Sequence, residues 1–147
     1  MTAIRLTIIG EPASKSNSRQ IVTIKGRPSS IKSAKARGYE ADALRQIPPA
    51  ARVRLEGPVR VTLRIWYASE RPDLDESVVL DVLQDRWSRT QPINPIVPGQ
   101  RVLVQPGVYR NDRQVREKHV YHAIDRRNPR VEVIVEPLQA QQIGLAA

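Results

Sequence analysis

Nine residues constrain the fold more than any others. From Val59 to Tyr67, the apolar Val59, Val61, Leu63, Ile65 and Tyr67 alternate with Arg60, Thr62, Arg64 and Trp66, the period of a strand with one face buried and one face wetted. Such a strand is not stable alone. It needs neighbours in a sheet and another layer over its apolar side. Gly57-Pro58 marks where it begins, and the acidic stretch after Tyr67 marks where it ends.

Around this strand the patterning predicts others over residues 4–9 and about 21–24. Ser33 is placed to cap a helix over about 34–47, which stops at Pro48-Pro49 because proline cannot continue it. Val79, Val82, Leu83 and Trp87 share one helical face, so a second helix is expected over about 75–87. Two later strands, about 114–124 and 131–135, are joined by a turn at 125–129. Residues 88–107 contain Pro92, Pro95, Pro98 and Pro106 and read as a long loop insertion, with a short strand at 101–104. The expected fold is α+β: a mixed sheet with two principal helices, one domain over residues 1–138 and a loose tail at 139–147. With no Phe, the core falls to Val, Ile and Leu. With no Cys, a disulfide framework, a thiolate zinc site and a cysteine nucleophile are all excluded. No apolar run reaches the roughly 20 residues of a membrane helix, and the expectation is a soluble, cytoplasmic protein.

The chain carries 24 Lys and Arg against 15 Asp and Glu, a net charge of +9, which implies a polyanionic partner. Distribution sharpens this. Between Pro12 and Tyr39 there is no acid, while Lys15, Arg19, Lys25, Arg27, Lys32, Lys35 and Arg37 are all basic. That run is the candidate phosphate-contacting surface. The balance inverts at Glu70, Asp73, Asp75, Glu76, Asp81 and Asp85, opposed there only by Arg71.

Like charges crowd together when they share a cation or line a solvated helix face. Asp73 and Asp75, in the stretch Arg71-Pro72-Asp73-Leu74-Asp75-Glu76-Ser77, are two residues apart. In extended backbone both side chains point to the same side, where they can converge on a hard cation such as magnesium. Asp112, ahead of a later strand, is the best third carboxylate. A metal so held would activate water and neutralise charge on a phosphodiester in flight. The competing reading is structural: Asp73 caps a helix and Glu76 is its reciprocal partner. Spacing leaves both open. Asp81 and Asp85, four apart, suit a solvated helix face. His119 and His122, at odd spacing on a strand, fall on opposite faces and cannot easily share a metal. A Pro-Asp…(Asp/Glu)-x-Lys nuclease pattern fails, because Glu117 and Lys118 are adjacent.

Taken together, Gly10-Glu11-Pro12-Ala13-Ser14-Lys15, the Arg71-to-Asp75 core before a helix, and Asp112-Arg113-Gln114-Val115 at a later strand resemble the RusA family of Holliday-junction resolvases, common in bacteriophages and prophages. The likeness spans roughly residues 4–137. It implies a RusA-like homodimer, encoded by phage or prophage and acting in the bacterial cytoplasm. The dimer would bind magnesium, or manganese, through Asp73, Asp75 and Asp112 and cut four-way DNA junctions symmetrically. A two-fold substrate suits two sites related by a two-fold axis. The family's Asn after the second aspartate is Glu76 here, and its catalytic lysine is Val79. Lys118 is the expected substitute, with Arg71, Arg113 and Lys15 as other candidates. The DNA-binding set is Lys15, Arg19, Lys25, Arg27, Lys32, Lys35, Arg71 and Arg113. Two alternatives remain: a non-catalytic junction-binding protein of the same fold, and a basic RNA-binding protein whose acids are only a capped helix start.

Overall fold

The computed structural model describes residues 3–14, 17–88 and 97–138. Lys15, the part of the proline-rich loop at 89–96 and the tail at 139–147 lie outside them. The fold is α+β with a mixed sheet and two helices. Its strands are β1 (Ile4–Ile9), β4 (Val59–Tyr67), β7 (Val115–Ile124) and β8 (Arg130–Pro137), in the order β1-β8-β4-β7. β8 runs antiparallel to both β1 and β4, while β4 and β7 are parallel.

The period-two strand sits inside this sheet, and its apolar residues all turn to one side: Val59, Val61, Leu63, Ile65 and Tyr67 are each 0% exposed. Val131, Val133 and Val135 of β8 and Leu6 and Ile8 of β1 extend the same face. Two helices complete the core over it. α1 (Ala34–Gln46) contributes Ala36, Tyr39 and Ala43, and α2 (Ser77–Leu83) contributes Val78, Val79, Val82 and Leu83. The Ser33 hydroxyl accepts a hydrogen bond from the Ala36 amide at 3.1 Å, satisfying one of the free amides at the start of α1. Ile47 is extended ahead of Pro48, as the proline ring demands of the residue before it. No helix among the described residues is long and apolar enough to cross a membrane.

Two departures from the sequence expectation matter. First, α2 ends at Leu83, short of Trp87. Gln84 turns extended, and Arg86–Trp87 (β5) pairs instead with Leu103–Gln105 (β6). The cause is Asp85: its buried carboxylate accepts from the Gly107 amide at 2.8 Å and is gripped by the Arg54 guanidinium at 2.9–3.2 Å. Asp85 is therefore not on a solvated helix face, because a buried carboxylate must be paired. Trp87 leaves the core and is 46% exposed. Second, the strand near residue 21 is longer, β2 (Arg19–Ile24), and has a partner the pattern did not reveal, β3 (Arg27–Lys32). With Pro28, Ser29 and Ser30 in its middle, β3 lacks the β-branched signature.

Candidate functional site

The stretch after β4 is anchored from below. The Tyr67 hydroxyl donates to the Asp73 carbonyl and accepts from the Asp75 amide, each at 3.3 Å. Burial pushes this phenol above its ordinary pKa, and the Asp75, Glu11 and Glu76 charges add to the rise, against an opposing hydrogen bond from the Asp75 backbone. It remains protonated at neutral pH and keeps its donor role. Asp75 Oδ1 accepts from the Ser77 amide at 3.0 Å, an Asx-type contact at the helix start. Asp73 is therefore not the helix cap. Glu76 occupies the N-cap position but makes no side-chain capping hydrogen bond. Its carboxylate instead receives Lys118 Nζ at 2.6 Å.

Asp112 reaches the same helix from the far end of the connection between β4 and β7. It opens a 3-10 turn, Asp112–Gln114, which Asn111 and Gln114 close with reciprocal side-chain-to-backbone bonds. Gln114 Nε2 ties the turn down to the carbonyls of Leu55 and Gly57, both at 2.8 Å. The Asp112 amide donates to Gln84 Oε1 at 3.1 Å, just past the end of α2. The exposed Asp112 side chain thus projects from a backbone held on two sides.

Two open concavities meet at Asp112. One, of about 300 Å³, is lined by Ser18, Arg19, Lys32, Ser77, Asp81 and Asp112 together with Val78. The other, of about 400 Å³, is lined by Leu80, Asp112, Val115, Arg116, Glu117 and Lys118. Ser77 is the hinge of the arrangement. It lines the first concavity with Asp112, and its amide holds the Asp75 carboxylate. Asp75 and Lys118 therefore lie at the start of α2, and Asp112 lies along its side, tethered at the far end. Asp73 is exposed in the loop above. Among the described residues no three His, Asp or Glu side chains stand together as a preformed metal-binding group. The donors around α2 are nonetheless of the right kind for a hard cation: carboxylate oxygens, with no sulfur.

The basic residues divide. Arg19 spans the β2–β3 ribbon to Ser30 (Nε to Oγ 3.3 Å, Nη2 to the carbonyl 2.8 Å). Lys25 lies in its turn and Arg27 directly after it, and Lys35 lies in the first turn of α1. Arg71 and Arg113 are exposed beside the acidic loop and the Asp112 turn. Lys32 is committed to ion pairs with Glu40 at 2.6 Å and Asp81 at 2.5 Å, and Arg86 also pairs with Glu40. Asp81 is thus a partner in a charge cluster, not a solvated helix acid. The histidines do take opposite faces: His122 stacks on Tyr67 on the core side, with ring centroids 4.8 Å apart, while His119 meets Glu117 on the other.

This cluster fastens the ribbon to both helices, and it predicts a pH response. Burial lowers the pKa of Lys32, but Asp81 and Glu40 outweigh it and hold it raised. Burial raises that of Glu40, but Lys32 and Arg86 outweigh it and hold it lowered. The Glu40 contribution is present above the ordinary carboxylate range and lost as pH falls through its lowered value. The Lys32 contribution is fully present below the ordinary lysine value of about 10.5 and lost as pH rises through its raised value. The protection of the amides of residues 19–32, exchange being corrected for its intrinsic pH dependence, is expected to fall as pH drops below the ordinary carboxylate range, and Glu40→Gln to remove most of that acid dependence. An acid response unchanged by Glu40→Gln would refute this role.

Compared with known proteins, no family model and no curated sequence matches the chain.

Proposed function

We propose that the protein is a magnesium-dependent, structure-selective endonuclease that cuts Holliday junctions or related branched DNA, as the RusA-like motifs imply. The observation carrying this reading is that Ser77 and Asp112, distant in sequence, line one concavity with Arg19 and Lys32 on its wall, while the Ser77 amide holds the Asp75 carboxylate at the start of α2. Asp73, Asp75 and Asp112 would hold the ion, which when bound supplies Lewis-acid charge neutralisation and a more acidic water. The protein's own groups do the rest. Tyr67 fixes the backbone on either side of Leu74, so the two loop carboxylates are held in place before substrate arrives. Arg19 draws the phosphate towards Asp112. Lys118, once drawn from Glu76 to the phosphate, offsets the charge that builds as water attacks in line. Homodimerisation belongs to the same proposal. The second face of the sheet, carrying Arg5, Arg64, Trp66, Tyr121, Glu132 and Ile134, remains partly exposed and is the surface a second copy would cover.

One observation favours the non-catalytic alternative. Val79, at the family's lysine position, is 0% exposed in the core, so that position offers the phosphate nothing. The deciding experiment is cleavage of a labelled four-way junction beside a linear duplex, with magnesium and with chelator, by the wild type and Asp75→Asn. Magnesium-dependent, junction-selective cutting that disappears in the variant is expected. Binding without cutting across divalent metals would make the protein a junction binder. Indifference to the substitution would leave the acidic loop a structural feature only.

A further inference from the structure

The β2–β3 ribbon does no work in the core. Its strands pair with each other and with no strand of the main sheet. The register puts Arg19, Ile21, Thr23, Pro28, Ser30 and Lys32 on one face, and Gln20, Val22, Ile24, Arg27, Ser29 and Ile31 on the other, where Val22, Ser29 and Ile31 are partly buried. Ile21, on the outward face, is 78% exposed, more than any other large hydrophobic residue described. An isoleucine at this level of exposure among cations, on an element without a single acid, is not explained by packing or by solubility.

The turn adds an independent observation. Lys25 and Gly26 have φ of +52° and +78°, the signature of a two-residue turn with both central residues left-handed. Asn, Asp or Gly is the ordinary first residue there. Lysine holds that conformation at a cost, and its ammonium is placed at the outermost point of the ribbon. At the other end, the root is fixed. Lys32 is paired to Asp81 and Glu40, and the Ser33 amide donates to the Ser18 carbonyl at 3.0 Å. The root residues Arg19 and Lys32 also line the concavity that contains Asp112. A strand of DNA with its phosphate in that concavity therefore has the outward face of the ribbon directly alongside it.

We propose that this ribbon is a DNA-gripping arm that lies in a groove of the duplex flanking the cut site, with Lys25 at its tip and Arg19 at its root on the phosphates and Ile21 between them against sugars and base edges. The inference rests on the DNA-binding part of the proposed function and adds to it a defined element and an apolar contact. The dimensions agree. Six-residue strands at about 3.4 Å per residue give an arm of about 20 Å, and the major groove admits a two-stranded ribbon.

The test is DNA binding in chelator, so that cleavage plays no part. A labelled four-way junction and a linear duplex are titrated across a range of salt with the wild type, Lys25→Asn and Ile21→Thr. Asn suits the left-handed turn and Thr suits a strand, so both variants are expected to melt at or above the wild-type temperature. Lys25→Asn should weaken binding about five- to tenfold at 0.1 M salt and reduce the slope of log affinity against log salt by about 0.9. Ile21→Thr should weaken binding severalfold with the slope unchanged. Wild-type affinity and slope in both variants would overturn the arm, and so would duplex RNA competing as well as duplex DNA. The two proposals fail separately: variants that bind and cut like the wild type sink the arm alone, whereas ribbon-dependent binding without magnesium-dependent cutting sinks the nuclease alone.

Discussion

The Asp112→Asn substitution is expected to lower junction cleavage by about a thousandfold or more, roughly 4 kcal/mol of barrier, while leaving melting temperature and junction binding near wild type. The separation follows from how Asp112 is held. Its position depends on backbone contacts: its amide donates to Gln84, and the turn is closed by Asn111 and Gln114. The exposed carboxylate carries none of that load, and an amide of the same shape removes the charge without disturbing the turn. A metal-binding carboxylate loses most of its ligand strength when it becomes a neutral amide. Cleavage rates under single-turnover conditions with magnesium, alongside thermal melting and chelator-phase binding, give the three readings. Unaltered cleavage would remove Asp112 from the site. A large fall in melting temperature would mean that the side chain matters to the fold instead.

A second substitution should act entirely through structure. Gly107 lies against the end of α2, where a Cβ would come within 2.4 Å of the Gln84 carbonyl carbon, 2.5 Å of the Leu83 oxygen and 2.6 Å of the Asp85 nitrogen. These are backbone atoms and cannot swing aside. The Gly107 amide is also bonded to the buried Asp85 carboxylate, and its carbonyl receives the Arg54 amide at 3.0 Å. Moving the segment away to relieve the clash would break both. Gly107→Ala is therefore expected to destabilise the protein by about 3 kcal/mol or more and lower the melting temperature by about 10 °C, as read by thermal denaturation. A melting temperature within a degree or two of wild type would show that this close packing is not required. The same change should impair the site in whatever protein remains folded, because the segment continues directly to Asp112.

The sequence revealed elements whose side chains follow one rule along their length. β1 and β4 alternate cleanly, and α1 has a capping serine at one end and two prolines at the other. What it concealed was set by contacts between distant segments. Asp85 looked like a surface helix acid because nothing nearby shows that Arg54 and the Gly107 amide converge on it. That convergence ends α2 and frees Trp87 from the helical face it seemed to share. β3 was hidden because Pro28 and two serines dilute its strand character, although the Lys25-Gly26 turn was a signal that could have exposed it. For the candidate site, the sequence offered Asp73, Asp75, Asp112 and Lys118. It gave no indication of Tyr67 as the anchor beneath the loop, of Gln84 as the tether of Asp112, or of Glu76 as the partner of Lys118. Each of those depends on β4, α2 and β7 being brought side by side.

The parallel pairing of β4 with β7 also bears on the order in which the molecule assembles. Hairpins can zip from a turn, but two parallel neighbours must first close the long span of chain between them, at an entropic cost that local contacts cannot offset. That span carries Asp73, Asp75, α2 and Asp112. Docking of β7 beside β4 and gathering of these residues are thus one topological event, governed by the contacts of longest range and expected among the last steps of folding. A chain caught short of that step could already have its β2–β3 hairpin and the first turns of α1, yet it would have no site.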